Sequence, residues 1–372
     1  MDRCQNRIGI DATLLARHHY TGIENYTYNI IKAILKTNKM KPYLFFSKEI
    51  PPSLKRYSKL FDCKISRFGN RIINDQIWLP ISVKKCNVKL LHCPAFPSPI
   101  ANICKTVLTI HDAVQWKHPE TLSIGGRLYY KPLFPQAIKK ARRIICVSKS
   151  TENDIVNIFP NVREKVTVVY EACDSRINSS TSFTDMQLPK IICKKPYLLS
   201  IGSIEPRKNM ETLIKAFEIV DKYRPNEINL IIVGRFAWQK VIRIPENLKH
   251  KVYFTGYIDS TETLSALYKK AILCVLPSIY EGFGLPLLEA MQSGTAILCS
   301  EIPAFKEIAG DAACYADWRS PDSFADKIIL LMDNHEYRKQ FSEKGLVRVK
   351  NFKWKKAAIQ TLKIYQEVLN EK

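Results

Sequence analysis

The sequence predicts an α/β protein built from two doubly wound domains facing a central cleft. Three observations lead there. The chain has 372 residues, enough for about two domains of ~100–200 residues each. Short apolar runs alternate with longer amphipathic stretches along most of it, the pattern of strands laid between helices. The alternation breaks once, in a polar stretch over 176–195 that contains Asn178-Ser179-Ser180-Thr181-Ser182, and then begins again.

In the first series the apolar runs Ile8–Ile10, Tyr43–Phe46, Leu90–His92, Thr106–Ile110, Arg143–Val147 and Thr167–Val169 read as strands. Helical stretches such as Ile23–Leu35 and Ser150–Ile158 lie between them. The second series opens with a strand at Tyr197–Ile201 and a helix over Asn209–Lys222. Strands at Leu230–Val233 and Val252–Phe254, a helix over Ser260–Lys269 and a strand at Ile272–Leu276 follow. A helix over Pro286–Gln292 and a strand at Ala296–Cys299 complete it. Near the end, Trp354, Ala358, Leu362, Tyr365 and Leu369 recur at spacings of three or four, so they share one helical face. The domains are therefore 1–178 and 196–352, joined by a linker at 179–195, with a final amphipathic helix over 353–372. Ligands of doubly wound sheets sit beyond the carboxyl ends of the strands.

Composition narrows the class. Hydrophobic residues make up 46% and charged residues 25%, as in a soluble globular protein. No apolar run approaches the ~18 residues of a membrane span. Asp11 interrupts the apolar Ile8–Leu15, so no signal-peptide core is expected. The eleven cysteines are odd in number and lack Cys-x-x-Cys spacing. Several sit inside apolar runs, which reads as reduced core thiols in the cytoplasm. The net charge is +22, with 29 basic and 14 acidic residues in 1–186. Such a field suits polyanions: nucleic acid, an anionic membrane or phosphorylated substrates.

The densest chemical signal is Pro277-Ser278-Ile279-Tyr280-Glu281-Gly282-Phe283-Gly284-Leu285-Pro286-Leu287-Leu288-Glu289-Ala290-Met291. A strand ends, a loop with two glycines follows, and proline stands where a helix begins. Free N–H groups at that helix start can hold an anion, and Gly282 and Gly284 let a ligand approach the backbone. A second loop, Gly202-Ser203-Ile204-Glu205-Pro206-Arg207-Lys208-Asn209, brings two cations to the start of another helix. Lysine supplies a point charge and arginine a two-pronged fork, both suited to phosphate.

Glu281 and Glu289 reproduce the E-x7-E spacing of retaining glycosyltransferases of the GT-B fold. The flanking residues resemble glycosyltransferase family 4, and the likeness covers nearly the whole chain. Gly22-Ile23-Glu24-Asn25-Tyr26 resembles the family's N-terminal glycine loop, and Thr109-Ile110-His111-Asp112 its histidine strand end. Val147-Ser148, the loop from Gly202 to Asn209 and Phe305–Ala312 also match. Ser203 stands where many members carry arginine, and Arg207 supplies that charge instead.

The resemblance implies that the helix 353–372 returns to the first domain, and it implies roles for these residues. Lys208 and Arg207 would hold the donor diphosphate, with Gly22, Gly202 and Ser203 beside it. Glu289 would bind the ribose hydroxyls, and Glu281 the hydroxyls of the transferred sugar. Backbone N–H groups of Phe283, Gly284 and Leu285 would face the sugar and β-phosphate. Tyr257 and Ile258 would border the nucleobase, with Gly234 nearby. His111 would point at the reacting sugar, and Asp112 would fix its loop. The implied chemistry is retaining hexosyl transfer from a nucleotide sugar without a cofactor and without a metal. The implied partners are the nucleotide sugar and a saccharide or lipid-linked acceptor of cell-surface polysaccharide. GDP-mannose is the first donor implied; UDP- and dTDP-sugars are the alternatives.

A basic nucleic-acid-binding protein is the non-enzyme alternative, but no zinc finger, RNA-recognition motif or helix-turn-helix is evident. No nucleic-acid partner is expected. A glycoside hydrolase would need two carboxyls ~5–9.5 Å apart across the scissile bond, and the phosphate-binding loops argue against it. With lipid-linked acceptors implied and the positive charge concentrated in 1–186, as at Lys84-Lys85 and Lys139-Lys140, a peripheral position on an anionic inner membrane face is expected.

Overall fold

The computed structural model describes residues 7–16, 20, 22–96, 98–101, 103–122, 124–174, 177, 195–237 and 242–371. The chain forms two compact units. The first comprises Met1–Glu171 with Lys353–Lys372, the second Ala172–Phe352. The crossing falls at Glu171 because hydrogen bonds divide there. Glu171 pairs with His111 of the first unit, whereas the Asp174 and Ile177 carbonyls accept from Gln292 and Ser265 of the second. Of the expected linker 179–195, all but Lys195 lies outside the described residues.

The first unit is a seven-stranded sheet in the order β3-β2-β1-β4-β5-β6-β7. Its strands are β1 (Ile8–Asp11), β2 (Tyr43–Ser47), β3 (Asp62–Ser66), β4 (Leu90–Cys93), β5 (Lys105–Ile110), β6 (Arg143–Cys146) and β7 (Val166–Val168). Every pairing is parallel. The central strands β1 and β4 are buried throughout, as parallel strands covered on both faces must be. Ser148 caps the helix Lys149–Ile158 by accepting from Thr151 N at 3.0 Å.

The C-terminal helix Trp354–Asn370 packs along the helix Gly22–Thr37 of this unit. Its buried face carries Ala358, Leu362, Ile364 and Tyr365. Tyr365 Oη lies 2.5 Å from His92 Nδ1, and His92 Nε2 lies 2.8 Å from Thr109 Oγ1. Burial, then the neighbouring His111, lower the His92 pKa to about 3, so this ring is neutral. Removing residues 353–372 would strip this face from the core and leave an apolar surface open to solvent. Such a truncated chain is expected in the insoluble fraction on expression; a soluble, monodisperse product on gel filtration would show the helix to be dispensable.

The second unit is a six-stranded parallel sheet in the order β10-β9-β8-β11-β12-β13. Its strands are β8 (Tyr197–Ile201), β9 (Asn229–Val233), β10 (Val252–Gly256), β11 (Leu273–Leu276), β12 (Ile297–Ser300) and β13 (Cys314–Ala316). The order reverses between β8 and β11, as it does between β1 and β4 in the first unit. Such a switch point opens a crevice beyond the strand ends. The nine described cysteines are all free thiols, seven of them buried.

Candidate active site

Two loops leave the switch point of the second unit, one after β8 and one after β11. They carry the residues singled out in the sequence. After β8 the chain turns at Gly202, with φ 152°, and passes through Ser203 to the short helical turn Pro206–Lys208. Asn209 follows with φ 54°, a left-handed position that asparagine tolerates better than most residues. Its side-chain amide donates to the carbonyls of Pro277 at 3.1 Å and Trp318 at 2.8 Å. The helix Met210–Tyr223 starts from this anchored corner.

Glycine is required where the loops close on one another. A Cβ on Gly234 would lie 1.9 Å from the Gly202 carbonyl oxygen, so no other residue fits. Gly234 therefore serves the packing of two loop backbones. The Lys208 stem lies over Gly202, where a Cβ would come within 3.1 Å of Lys208 Cε.

The Arg207 and Lys208 cations converge on Glu281. Lys208 Nζ donates to Glu281 Oε1 at 2.5 Å, and Arg207 Nη1 donates to Glu281 Oε2 at 2.6 Å. Ser278 Oγ donates to Oε1 at 2.8 Å, and Arg207 Nη2 reaches Glu205 Oε1 at 2.7 Å. All three charged side chains are largely buried. Burial alone would raise the Glu281 pKa. The Arg207 charge, then Lys208 and the hydrogen bonds, outweigh it and lower the pKa to about 2. Glu281 is thus a fixed carboxylate between two cations.

Glu289 sits in the helix Leu285–Gln292, half-buried, and accepts from Tyr268 Oη at 2.8 Å. Its pKa is raised, chiefly by burial and also by Asp174, against the Tyr268 hydrogen bond and the Lys208 charge. Gly284, with φ 103°, precedes this helix; a Cβ there would meet the Phe305 ring at 2.8 Å. The sequence put Pro286 at the helix start; the structure begins it one residue earlier, at Leu285. Phe283 is buried, and its ring lies 6.0 Å from that of Phe352. Tyr257 and Ile258 follow the end of β10 and are partly buried.

In the first unit His111 follows β5. Its ring Nε2 lies 2.8 Å from the Pro94 carbonyl, and Nδ1 lies 3.0 Å from Glu171 Oε1. A carbonyl only accepts, so Nε2 carries a proton. Burial would lower the His111 pKa, but the hydrogen bond and charge of Glu171 outweigh it and raise the pKa. Both ring nitrogens face oxygen acceptors, an arrangement that favours the protonated ring. The resemblance implies that this ring faces the reacting sugar; in the structure its two nitrogens bond Pro94 and Glu171. Asp112 Oδ1 accepts from Val114 N at 3.1 Å and fixes the loop. Gly22 opens the helix Gly22–Thr37, with open space where a Cβ would stand.

Comparisons with known proteins cover both units. The model for Glycosyltransferase Family 4 matches residues 20–176. The model for Glycosyl transferases group 1 matches residues 184–348. The chain belongs to glycosyltransferase family 4. It is similar to the O-antigen chain mannosyltransferase B of Escherichia coli, at 26% identity over 96% of this chain and 99% of that one. It is also similar to the O-antigen chain mannosyltransferase RfbU of Salmonella typhimurium, at 26% identity over 83% and 78%. Among solved structures, WaaG, a glycosyltransferase involved in lipopolysaccharide biosynthesis, aligns over 98% of this chain and 100% of its own. The TM-score is 0.72 at 14% identity. Anabaena Alr3699/HepE in complex with UDP and glucose aligns over 98% and 100%, with TM-score 0.73 and 14% identity. These likenesses establish the GT-B fold.

Several partners within this glycosyltransferase were not singled out from its sequence. Glu205 and Ser278 stood inside the quoted motifs, yet nothing in the spacing shows that they bind Arg207 and Glu281. Tyr268 gives no signal, because a tyrosine in an amphipathic helix reads as core. Glu171 lies 60 residues from the His111 it holds. Among the described residues, no group of three or more His, Cys, Asp and Glu side chains forms a metal cage.

Proposed function

We propose that this glycosyltransferase moves a hexose from a nucleotide sugar, GDP-mannose first, to a saccharide or lipid-linked acceptor in cell-surface polysaccharide assembly. The observation that carries the reading is the placement of Arg207, Lys208 and Glu281 at the switch point of the second sheet. Their charges suit a diphosphate bonded to a sugar. Retention of configuration and transfer without a metal follow from the family resemblance. The mannose assignment rests on the names of the relatives at 26% identity. A UDP-sugar is the second reading, favoured by the solved complex of Anabaena HepE with UDP and glucose.

In this reading Lys208 and Arg207 take the charge that develops on the departing diphosphate. The start of the helix Leu285–Gln292 and the N–H groups of Phe283, Gly284 and Leu285 add to it. Ser203 and Gly202 line the same loop, and Tyr257 and Ile258 border the base. Glu281 orients the sugar hydroxyls, and Glu289 receives the ribose. His111 contributes as a ring held in place by Pro94 and Glu171. The leaving phosphate would take the acceptor proton.

A thermal-shift panel of GDP, UDP, dTDP and their sugars tests the donor, because a ligand bound only by the folded state raises the melting temperature. Stabilisation by GDP and GDP-mannose above the rest is expected. A response to UDP-sugars alone would replace mannose with the second reading, and a response to none would overturn donor binding. Glu289→Gln is expected to weaken binding of the free nucleoside diphosphate about tenfold, the loss of one charged hydrogen bond. Calorimetry checks it, and unchanged affinity would remove Glu289 from the ribose.

The first unit is proposed to take the acceptor, with the protein lying on the anionic inner face of the cell membrane. Among the described residues, no helix is long and apolar enough to cross a membrane. The support for a surface position is the net charge of +22, of which +15 lies in residues 1–186.

A further inference from the structure

We propose that the outer face of the helical run 71–85 in the first unit, with the Phe68 loop before it, inserts into an anionic lipid leaflet. This rests on the peripheral-membrane reading above and says which surface does the binding.

A surface helix normally turns its apolar stripe inward and its polar residues to solvent. Residues 71–85 do the reverse in part. Asn74, Asp75 and Ser82 are buried along with Leu79 and Val83. Three of its four isoleucines face out: Ile72 is 52% exposed, Ile77 55% and Ile81 49%, Ile73 is half-buried, and Phe68 before the helix is 50% exposed. Single exposed isoleucines are ordinary, but four large apolar side chains within fourteen residues are a patch, and patches mark interaction surfaces.

The inward polar residues fix this orientation. Ser66 Oγ bonds Asn74 Oδ1, and Asn74 Nδ2 donates to the Phe68 carbonyl at 2.9 Å. Asp75 pairs with Arg71 at 3.3 Å, and Arg71 also donates to the Phe96 carbonyl at 2.7 Å. Rotating the run to bury its exposed isoleucines would break each of these bonds. The bond from Asn74 to Phe68 also ties the Phe68 loop to the first turn. The run is π-helical over Asn74–Trp78, and a π turn holds more residues than an α turn. Ile72 and Ile77, five apart, therefore come onto one side, and Ile81 follows one α turn later.

Charge selects the occupant. Between residues 64 and 85 there are five basic residues, Lys64, Arg67, Arg71, Lys84 and Lys85, and one acid. That acid is the buried Asp75. Arg67, Lys84 and Lys85 are exposed at the two ends of the apolar patch. Apolar side chains at the acyl boundary with basic ones at headgroup level is the arrangement by which a helix lies in an anionic interface.

Sedimentation of the full chain with two kinds of vesicle tests this. One is phosphatidylcholine mixed with phosphatidylglycerol, the other phosphatidylcholine alone. The wild type is expected to sediment with the mixed vesicles only, and high salt to release part of it. Ile77→Ser with Ile81→Ser is expected to lower partitioning about tenfold or more, with melting temperature and nucleotide-induced thermal shift unchanged. Lys84→Gln with Lys85→Gln should reduce only the salt-sensitive part. Equal sedimentation of the serine variant and the wild type would overturn this surface and leave membrane binding to charge elsewhere. Wild type in the supernatant with both lipids would overturn the membrane reading itself. A wild-type dimer in sedimentation velocity that the serine variant abolishes, without vesicle binding, would assign the patch to a second copy and overturn the proposal.

Discussion

Replacing Lys208 by alanine is expected to slow glycosyl transfer by ~10²–10³, or about 2–4 kcal/mol of barrier, while leaving the second unit folded. The rate effect comes from the charge. Lys208 Nζ sits at the switch point, 2.5 Å from Glu281, where a departing diphosphate would need a cation. The folding effect should be small. Glu281 keeps Arg207 at 2.6 Å and Ser278 at 2.8 Å, so its buried carboxylate is not stranded. The Lys208 stem covers Gly202, and truncation uncovers one loop surface rather than opening the core. Turnover with a radiolabelled nucleotide sugar measures the first effect, and thermal unfolding the second. Wild-type turnover in the variant would refute the role of Lys208.

The same physics explains what could be read in advance. Strands buried on both faces are nearly continuous apolar runs, so Tyr197–Ile201 and the central strands of both sheets were legible. The two strands missed from the sequence, β3 and β13, are edge strands. β3 reads Asp-Cys-Lys-Ile-Ser and is only partly buried, so its signal falls to that of a polar loop. The helix Ile124–Lys140 contains Pro132 and Pro135 and has Gly125 and Gly126 in its first turn, residues that ordinarily announce turns. In the site, glycine, proline and charge at fixed offsets within two short loops were legible because each loop is local. The closure of Arg207 and Lys208 onto Glu281, more than seventy residues away, was not, since only the parallel sheet order brings β8 beside β11. For the same reason, no spacing could link Glu171 to His111 or Tyr268 to Glu289.

Glu281→Gln should separate a structural effect from a chemical one, and pH makes the separation measurable. The Glu281 carboxyl has its pKa lowered from 4.5 to about 2 in the folded chain. A depressed pKa means that the folded state binds the proton less readily than the unfolded state. The stabilisation is therefore complete above about pH 4.5 and is lost as pH falls through about 2. The shift corresponds to on the order of 3 kcal/mol. In the variant, Arg207 and Lys208 face an uncharged amide in a largely buried position. Removing one member of such a cluster costs about 3–5 kcal/mol. Urea unfolding at a series of pH values should show a less stable variant at pH 7 and a shallower loss of stability between pH 5 and 2. Transfer should fall as well, because the sugar hydroxyls lose their carboxylate. Nucleoside diphosphate binding should survive, since both cations lose an internal counter-ion and remain available to phosphate. If the variant instead keeps full stability and loses the nucleotide, Glu281 is not the carboxylate that holds these two cations in place.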